Sequence, residues 1–405
     1  MEASPLRRIV AIADAAARWC DADFPPRVRA TRALEGRTSY TEPVIDYALD
    51  TLFGELVAPA LRTTIENELG TLAALDGFVP RAGRPAVSYR ALARATIVSS
   101  DSTIGVAIPA LAFALCAGCA VTVKDRDDRL VAAFAETLVE ESPDLRDSIA
   151  MALWDGATAD AAINAHLGEA DVVVAYGGAA ALAAIRARLR PDARFVPYGH
   201  RTSVGYVTRE TLDGADAGAA AAAGIARDAL LYDGEGCLSA HAVFVESGAR
   251  MPVAAFARIV AEACDAAAIE FPAGYTERDA AVVAYRRAAL FRAAQGAGAV
   301  YAGVVAPHLV VLDPPASEPP PLLRRTLAIY GIAGAGEAAA FVRLHDLPLE
   351  GVALSSFARD DVLAFARTSG ASRIARLGTL QQPPLGGEHG GYGRILPFVR
   401  AIYRA

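Results

Sequence analysis

Cys237 is the residue of this sequence whose setting most suggests covalent chemistry. It lies in Leu230-Leu-Tyr-Asp-Gly-Glu-Gly-Cys-Leu-Ser-Ala-His241, between glycines and what reads as a helix start. Backbone N–H groups at a helix N-terminus stabilise a thiolate and bind an oxyanion. Flanking glycines let a substrate carbonyl come close to the sulfur. A free cysteine is more often a small buried hydrophobe, so this segment alone leaves both readings open. His241, just beyond, suits protonation of a leaving thiol; the competing reading is a helix-face histidine paired with backbone.

Other segments suggest nucleotide binding. Asp171-Val-Val-Val-Ala-Tyr-Gly-Gly178 reads as a buried strand ending in Gly177 and Gly178 before an alanine-rich helix. In an open parallel sheet that is where nucleotides bind, although the segment is not G-x-G-x-x-G. Gly331-Ile-Ala-Gly-Ala-Gly336 also resembles a glycine fingerprint. Without a strong strand and a downstream ribose-binding acid it reads as a plain turn. Lys124 ends the apolar run Val121-Thr-Val, either toward a ligand or simply toward solvent. Tyr198-Gly-His-Arg-Thr-Ser-Val-Gly205 reads as a polar loop. Cys116 and Cys119 form C-x-x-C inside an apolar helical run, which favours packing over redox or metal chemistry. The histidines are too dispersed for a zinc site, and the sequence has neither a G-x-S-x-G elbow nor a Walker loop.

The elements that must position these residues alternate. Residues 1–75 read as amphipathic helices, notably Arg7–Cys20 and Pro43–Leu69. From about residue 95, strand-like and helical runs alternate: Ala120–Lys124, Leu130–Glu141, Asp171–Ala175, Ala179–Leu189 and Arg194–Pro197. Such alternation implies βαβ units and a mostly parallel sheet. A second α/β pattern begins near residue 229, with strands at Ala242–Glu246, Gly298–Val304, Leu309–Leu312 and Val352–Ser355. Its helices are Pro252–Ala268, Thr276–Ala294 and Arg359–Ser369, with a proline-rich surface loop at Pro314–Pro321. A last helix is expected over Ile395–Tyr403. The expected fold class is α/β, divided at 1–228, 229–376 and 377–405, and no internal repeat is visible.

Composition narrows the function classes. A chain of 405 residues holds two or three domains at ~100–200 residues each. Its hydrophobic share of 54% suffices for a large core, and a net charge of −7 argues against a general nucleic-acid binder. Five scattered cysteines do not form a disulfide framework and point to a reducing, cytoplasmic setting. Asp14 interrupts the early apolar run, so a signal peptide is not expected. Residues 104–123 match a transmembrane helix in length. Pro109, Gly118 and the strand-forming Ala120-Val-Thr-Val favour a buried helix followed by a buried strand, so no membrane span is expected.

Taken in order, these segments resemble the LuxC-type acyl-CoA reductases, a branch of the aldehyde dehydrogenase superfamily. The resemblance covers nearly the whole chain. It runs from Tyr40-Thr-Glu-Pro, Leu52-Phe53 and Glu68-Leu-Gly70 through the run into Lys124, the Asp171 strand and Tyr198–Ser203. It is strongest at Asp233–His241 and continues into Gln381-Gln-Pro-Pro-Leu-Gly-Gly-Glu-His-Gly-Gly391. The resemblance implies a Rossmann-type nucleotide-binding domain, an α/β catalytic domain and a helical N-terminal segment. The C-terminal segment would return to the nucleotide-binding domain or an oligomer interface. Cys237 would be the acyl-accepting nucleophile. Lys124 would contact the adenosine ribose, and Arg126 a 2′-phosphate, favouring NADPH. Gly177 and Gly178 would let the dinucleotide lie against the sheet, and Ser203, with Gly199 in the same loop, would lie near the pyrophosphate.

The sequence also departs from that family. Asp101 stands where relatives carry an oxyanion-binding Asn, and a carboxylate there repels an oxyanion unless protonated. Ser102 or Thr103 could instead offer a hydroxyl. Gly234 and Glu235 stand where glutamine is expected, and His389-Gly-Gly replaces a motif that often contains Asp-Gly. The Glu-Leu-Gly-Gly segment of aldehyde-oxidising relatives is missing, the corresponding stretch being taken as Asp213–Ala223. The family implies reduction of acyl-CoA or an acyl-carrier protein through an acyl-cysteine, an acyl-transferring or acyl-activating partner enzyme, and a homo-oligomer. The rival readings are an NAD(P)-dependent aldehyde dehydrogenase and a catalytically silent acyl-carrier-binding partner.

Overall fold

The computed structural model describes residues 4–100, 103–125, 129–152, 160–275, 280–303, 306–314, 317–319 and 321–404. The chain forms two compact units. One comprises Met1–Thr38, Ile45–His200 and Pro384–Ala405, the other Ser39–Val44 and Arg201–Pro383. The division therefore falls after His200 rather than after residue 228.

The first unit opens with α1 (Pro5–Trp19), α2 (Pro25–Glu35), α3 (Glu42–Glu55, of this unit from Ile45 on) and α4 (Ala58–Leu69). Ser4 Oγ accepts from the Arg7 N–H and Pro5 occupies the first turn of α1, so both start signals act at one end. Ile9, Ile12, Ala16 and Trp19 form its buried stripe. Trp19 packs on Phe53 and Phe134 and donates to Thr137 Oγ1 at 3.1 Å.

The chain then runs through β1 (Val79–Arg81), β2 (Arg84–Ala91), β3 (Arg94–Val98), α5 (Ala107–Ala117), β4 (Ala120–Lys124) and α6 (Leu130–Glu141). It continues through β5 (Ile149–Ala152), α7 (Asp160–Glu169), β6 (Val172–Tyr176), α8 (Ala179–Arg186) and β7 (Arg194–Tyr198). Five strands form a parallel sheet in the order β5-β4-β3-β6-β7. The chain order reverses direction between β3 and β6, and the carboxyl ends at such a switch point form a binding crevice. The apolar stretch 104–123 resolves into α5, a left-handed Gly118 and β4. Gly118 has φ +99°, and a Cβ there would also meet the Arg8 guanidinium at 3.2 Å. Among the described residues, no helix is long and apolar enough to cross a membrane.

The second unit contains β8 (Thr202–Val207), α9 (Arg209–Leu212), α10 (Ala215–Leu230), β9 (Ala240–Glu246), α11 (Val253–Glu270), α12 (Ala280–Ala294) and β10 (Ala299–Ala302). It continues with β11 (Leu309–Asp313), β12 (Thr326–Ile332), α13 (Ala335–Leu344), β13 (Leu349–Leu354), α14 (Asp360–Thr368) and β14 (Arg373–Arg376). Its seven strands are ordered β10-β11-β12-β9-β8-β13-β14, parallel except for the edge strand β10. Helices α10 and α11 cover one face through Ile225, Phe256 and Val260. Helices α13 and α14 cover the other through Phe341, Val342 and Phe365.

Two expectations are corrected here. Thr202–Gly205 is not loop but the start of a wholly buried central strand, β8. Its place between β9 and β13 is why residues 201–228 belong to the second unit. The Gly331 segment is also more than a turn, since β12 precedes it and α13 follows. The Ala333 N–H in that connection donates to the unit's own Glu337 at 2.9 Å.

Gly224 of α10 supports the Leu377–Gly378 backbone. A Cβ there would lie 2.8 Å from the Leu377 carbonyl carbon. Gly224→Ala is therefore expected to destabilise by ~1–3 kcal/mol of overpacking, outweighing a helix-propensity gain of about 1 kcal/mol. Urea unfolding checks the sign, and a stabilised variant would contradict it.

The chain ends in β15 (Val399–Arg404), which pairs antiparallel with β2 in a sheet of order β1-β2-β15. The helix expected over Ile395–Tyr403 is thus a short 3₁₀ turn, Leu396–Phe398, leading into a strand. Pro397 has no N–H to donate, and pairing with β2 satisfies the backbone that a helix would have satisfied internally.

Candidate active site

In the second unit the cysteine segment begins where α10 ends. Leu231–Gly234 form a 3₁₀-like turn in which Tyr232 (φ 59°), Asp233 (φ 55°) and Gly234 (φ 75°) are all left-handed. Non-glycine residues in that region cost about 1–3 kcal/mol each and persist only when the surroundings hold them. The holding groups are an arginine pair. Arg325 Nε donates to Asp233 Oδ1 at 2.6 Å, its backbone N–H donates to the Asp233 carbonyl at 2.9 Å, and its Nη2 donates to the Phe271 carbonyl. Arg324 Nε donates to Glu235 at 2.6 Å, and Ser39 Oγ reaches Asp233 Oδ2 at 3.3 Å. Arg325 and Asp233 are 1% and 2% exposed. Burial pushes the Asp233 carboxyl up, with Arg325 opposing.

Cys237 follows in a second turn, closed by the Ser239 N–H donating to the Gly236 carbonyl at 2.9 Å. No helix starts here; the turn leads into buried β9. The thiol is partly exposed, and the N–H groups of Cys237 and Leu238 both favour its charged form. The donors expected from a helix end are thus supplied by a turn. Burial, followed by the charge of Glu350, pushes the thiol up to about 12, opposed by those N–H groups and Arg201. The resting sulfur is therefore protonated. Alkylation of Cys237 by iodoacetamide, followed at that peptide by mass spectrometry, is expected to keep accelerating beyond pH 10. A plateau below pH 8 would contradict this setting.

Several neighbours hold the turn. Ser203 Oγ donates to the Cys237 carbonyl at 2.9 Å. The Ser203 side chain is 0% exposed and its hydroxyl is committed to the cysteine backbone. Gln381 Nε2 donates to Ser239 Oγ at 2.8 Å. A Cβ on Gly236 would come no nearer than 3.4 Å to that pair, so this glycine leaves ordinary room. Asp228, at the base of α10, accepts from the N–H groups of Gly378 and Leu380 at 2.7 and 3.0 Å and so fixes the approach to Gln381. Burial pushes its carboxyl up to about 7. His241 lies on β9, not on a helix. Burial drives its imidazole down to about 4, and it hydrogen-bonds the backbone of Gly234. It is neutral and engaged with backbone, so it is poorly suited to donate a proton to a thiol.

The site occupies the amino edge of this sheet. Cys237 precedes β9, Arg201 and Ser203 lie at the start of β8, and Glu350 lies near the start of β13. Arg201, Glu350, Asp228, Arg325 and the role of Gln381 were not picked out from the sequence. The available signal was a lone acid in Leu349-Glu-Gly-Val-Ala-Leu354, an otherwise apolar run.

In the first unit the sequence-derived residues gather at the carboxyl ends of the parallel sheet. Lys124 ends β4, and its carbonyl accepts from the Ser99 N–H at 3.0 Å, just past β3. Gly177 follows β6 and donates to the Tyr198 carbonyl at 3.1 Å. Gly178 precedes α8, whose N-terminus has neither a side-chain cap nor a first-turn acid. Such an end presents open N–H groups and a favourable dipole to phosphate, so this end of the sheet fits a dinucleotide. None of Gly177, Gly178 and Gly199 has positive φ, so their smallness rather than special backbone geometry is what they offer. Only Gly178 is closely approached, by His200 Nε2, 3.3 Å from where a Cβ would sit. Beside them, the ring of Tyr198 stacks on Tyr176 at 4.8 Å and on His389 at 4.1 Å, an aromatic group the sequence reading did not assemble.

Asp101, Ser102 and Arg126 lie outside the described residues. Cys116 and Cys119 are buried free thiols, Cys119 Sγ lying 3.6 Å from the Phe398 carbonyl. Among the described residues, no cluster of metal-ligating side chains is found.

Residues 2–401 match the family model described as acyl-CoA reductase (LuxC). No curated protein matches the chain. Among solved structures, the aldehyde dehydrogenase KauB from Pseudomonas aeruginosa aligns with a TM-score of 0.73 at 14% identity, covering 99% of this chain and 84% of that one. The indole-3-acetaldehyde dehydrogenase AldA of P. syringae, solved as a C302A mutant with NAD+ and IAA, aligns with a TM-score of 0.73 at 13% identity over the same shares. The NAD-dependent benzaldehyde dehydrogenase from Corynebacterium glutamicum aligns with a TM-score of 0.68 at 15% identity, covering 99% and 86%. At such identities these likenesses establish the fold, and the family match extends almost from end to end. The chain belongs to the acyl-CoA reductase (LuxC) family and has the aldehyde dehydrogenase fold.

Proposed function

We propose that the protein reduces an acyl thioester, acyl-CoA or acyl-carrier protein, to the aldehyde with NADPH, through an acyl-Cys237 intermediate. The observation that carries this reading is the partly exposed Cys237 in its turn, with two backbone N–H groups that favour the charged sulfur. The sulfur attacks the thioester carbonyl, and the Cys237 and Leu238 N–H groups would hold the tetrahedral oxyanion. The carrier thiol departs, leaving a new thioester on Cys237. NADPH, when bound, supplies the hydride. The resulting thiohemiacetal on Cys237 collapses to aldehyde and thiolate, a step helped by the good leaving ability of sulfur.

In the first unit, Lys124 would meet the adenosine ribose, Gly177, Gly178 and Gly199 would lie along the dinucleotide, and Arg126 would meet a 2′-phosphate and favour NADPH over NADH. Asp101 and Ser102 belong to the same proposal as groups near the oxyanion. The stretch Asp213–Ala223 supports the direction of reaction. It runs from the end of α9 into α10, with Gly218, Ala221 and Ala222 buried, and lacks the Glu-Leu-Gly-Gly segment whose Glu is the base for a hydrolytic water in aldehyde-oxidising relatives. An acyl-enzyme with no such base persists long enough for hydride or thiol exchange. A homo-oligomer, a cytoplasmic setting and a partner enzyme that loads or activates the acyl group belong to the same reading.

The test is an incubation with long-chain acyl-CoA and NADPH, following the 340-nm absorbance and analysing products. Aldehyde formed as NADPH is consumed is the expected result. Acid formed from added aldehyde with NAD(P)+ would favour a dehydrogenase. No cofactor consumption with any acyl thioester would leave a silent acyl-carrier-binding protein.

A further inference from the structure

The mechanism above needs a group to take the proton from a thiol that rests protonated, and His241, with its imidazole driven down to about 4 by burial, is a weak base for it. The geometry points to Glu350 as that group: a base on β13 that accepts the Cys237 proton and returns it to the departing carrier thiol. This rests on the proposed reduction and adds a catalytic residue to it.

Strand register and packing bring Glu350 to the cysteine. Pairing of β13 with β8 slips between Leu349 and Gly351, an extra residue at Glu350. Leu349, Val352 and Leu354 pack on the α13–α14 face. A Cβ on Gly351 would lie 2.8 Å from Ser203 Oγ and 3.3 Å from Leu238 Cδ2, which puts that position against the cysteine turn. Gly351 thus turns to the face opposite Leu349 and Val352, and Glu350 is the extra residue at the bulge directly beside it. The Cys237 carbonyl hangs from Ser203 on β8, the strand next to β13. The cysteine turn and the Glu350 bulge thus meet at one edge of the sheet.

Glu350 is built in rather than incidental. It is 4% exposed. Ser372 Oγ donates to its Oε1, the Ser372 N–H donates to its carbonyl at 3.1 Å, and Arg201 Nε lies 3.5 Å from its Oε2. Arg201 also donates to the Leu349 carbonyl at 3.2 Å, fixing the guanidinium beside the bulge. Of the charged side chains, Glu350 and Arg201 act most strongly on the Cys237 sulfur, with opposite signs. An isolated negative charge beside a nucleophilic thiol only hinders it; a carboxylate that takes the proton removes that penalty.

The proton balance closes. The S–H proton passes to Glu350 as sulfur bonds to the acyl carbon. The bond from that carbon to the carrier sulfur breaks, and the carboxyl proton goes to the leaving thiolate, restoring the carboxylate. After hydride transfer from NADPH and release of aldehyde, the Cys237 thiolate takes one proton from solvent.

The test is acylation without NADPH: the full chain is mixed with octanoyl-CoA at neutral pH, quenched rapidly, and the acyl adduct followed by intact mass. Glu350→Gln is expected to slow adduct formation by roughly 10²-fold or more. That deficit should narrow toward high pH, where hydroxide deprotonates the thiol. A carboxylate acting only through its charge predicts the opposite, because its removal eases thiolate formation. An unchanged or faster Glu350→Gln would therefore overturn the assignment. Should that variant not fold, Glu350→Asp and Ser372→Ala keep the carboxylate while displacing it. Both are expected to slow acylation less severely, and parental rates in both would also overturn it. An unmodified chain that takes up no acyl group would sink the proposed function instead, with Cys237→Ala as the adduct-free baseline.

Discussion

Cys237→Ala is expected to abolish acyl-thioester reduction, lowering the rate by at least ~10³-fold, while leaving the fold intact. Cys237 is partly exposed and belongs to a turn rather than to a hydrophobic core cluster, so its loss removes few packing contacts. A stability change within about 1 kcal/mol is expected. The turn itself is held by Ser203, Gln381 and the Gly236–Ser239 hydrogen bond, none of which uses the sulfur. Both turnover and acyl labelling should disappear together. Retained turnover with a normal unfolding curve would remove Cys237 from the mechanism.

The largest stability effect is expected at Arg325. Its guanidinium is buried against Asp233 at 2.6 Å, and both partners are shielded from water. Burying a pair gains little net energy, but removing one partner strands the other, costing about 3–5 kcal/mol. Arg325→Ala should therefore consume much of a typical stability margin of roughly 5–15 kcal/mol. It also frees Asp233 in the left-handed turn ahead of Cys237, so any folded fraction should acylate more slowly. Denaturant unfolding measures the first effect. A loss below about 1 kcal/mol would show that the pair is not the clamp its geometry suggests.

Much of the fold can be read in the sequence because local patterns and tertiary demands agree. Arg7–Cys20 shows a helical apolar stripe with Ser4 and Pro5 at its start, and α1 forms there. The βα alternation after residue 95 becomes the five-stranded parallel sheet, with Lys124 and Gly177 at its carboxyl ends. Three segments mislead for physical reasons. Thr202 and Ser203 look like loop residues, yet Ser203 is satisfied by the Cys237 carbonyl and so can lie in a central strand. Ile395–Tyr403 carries apolar residues at helical spacing, but its partner, β2, is remote in sequence and leaves no local trace. Glycines before Cys237 suggest a helix start, whereas the chain needs a turn that enters β9.

The site is legible in part. Cys237 stands out by its glycines. Glu350 does not, because its meaning depends on a bulge and on Ser372 and Arg201, contributed by other parts of the sheet. Arg325 is similarly silent, since an arginine next to another arginine ordinarily reads as surface charge. Where long-range contacts decide a residue's role, spacing along the chain cannot carry it.

Passage of hydride from NADPH to an acyl carbon held on Cys237 can be followed with NADPH deuterated at the transferred position. The protein is mixed with long-chain acyl-CoA and the product is trapped and weighed. One aldehyde is expected for each NADPH consumed, carrying one deuterium on its carbonyl carbon. Free acid without NADPH consumption, or aldehyde without the label, would contradict it.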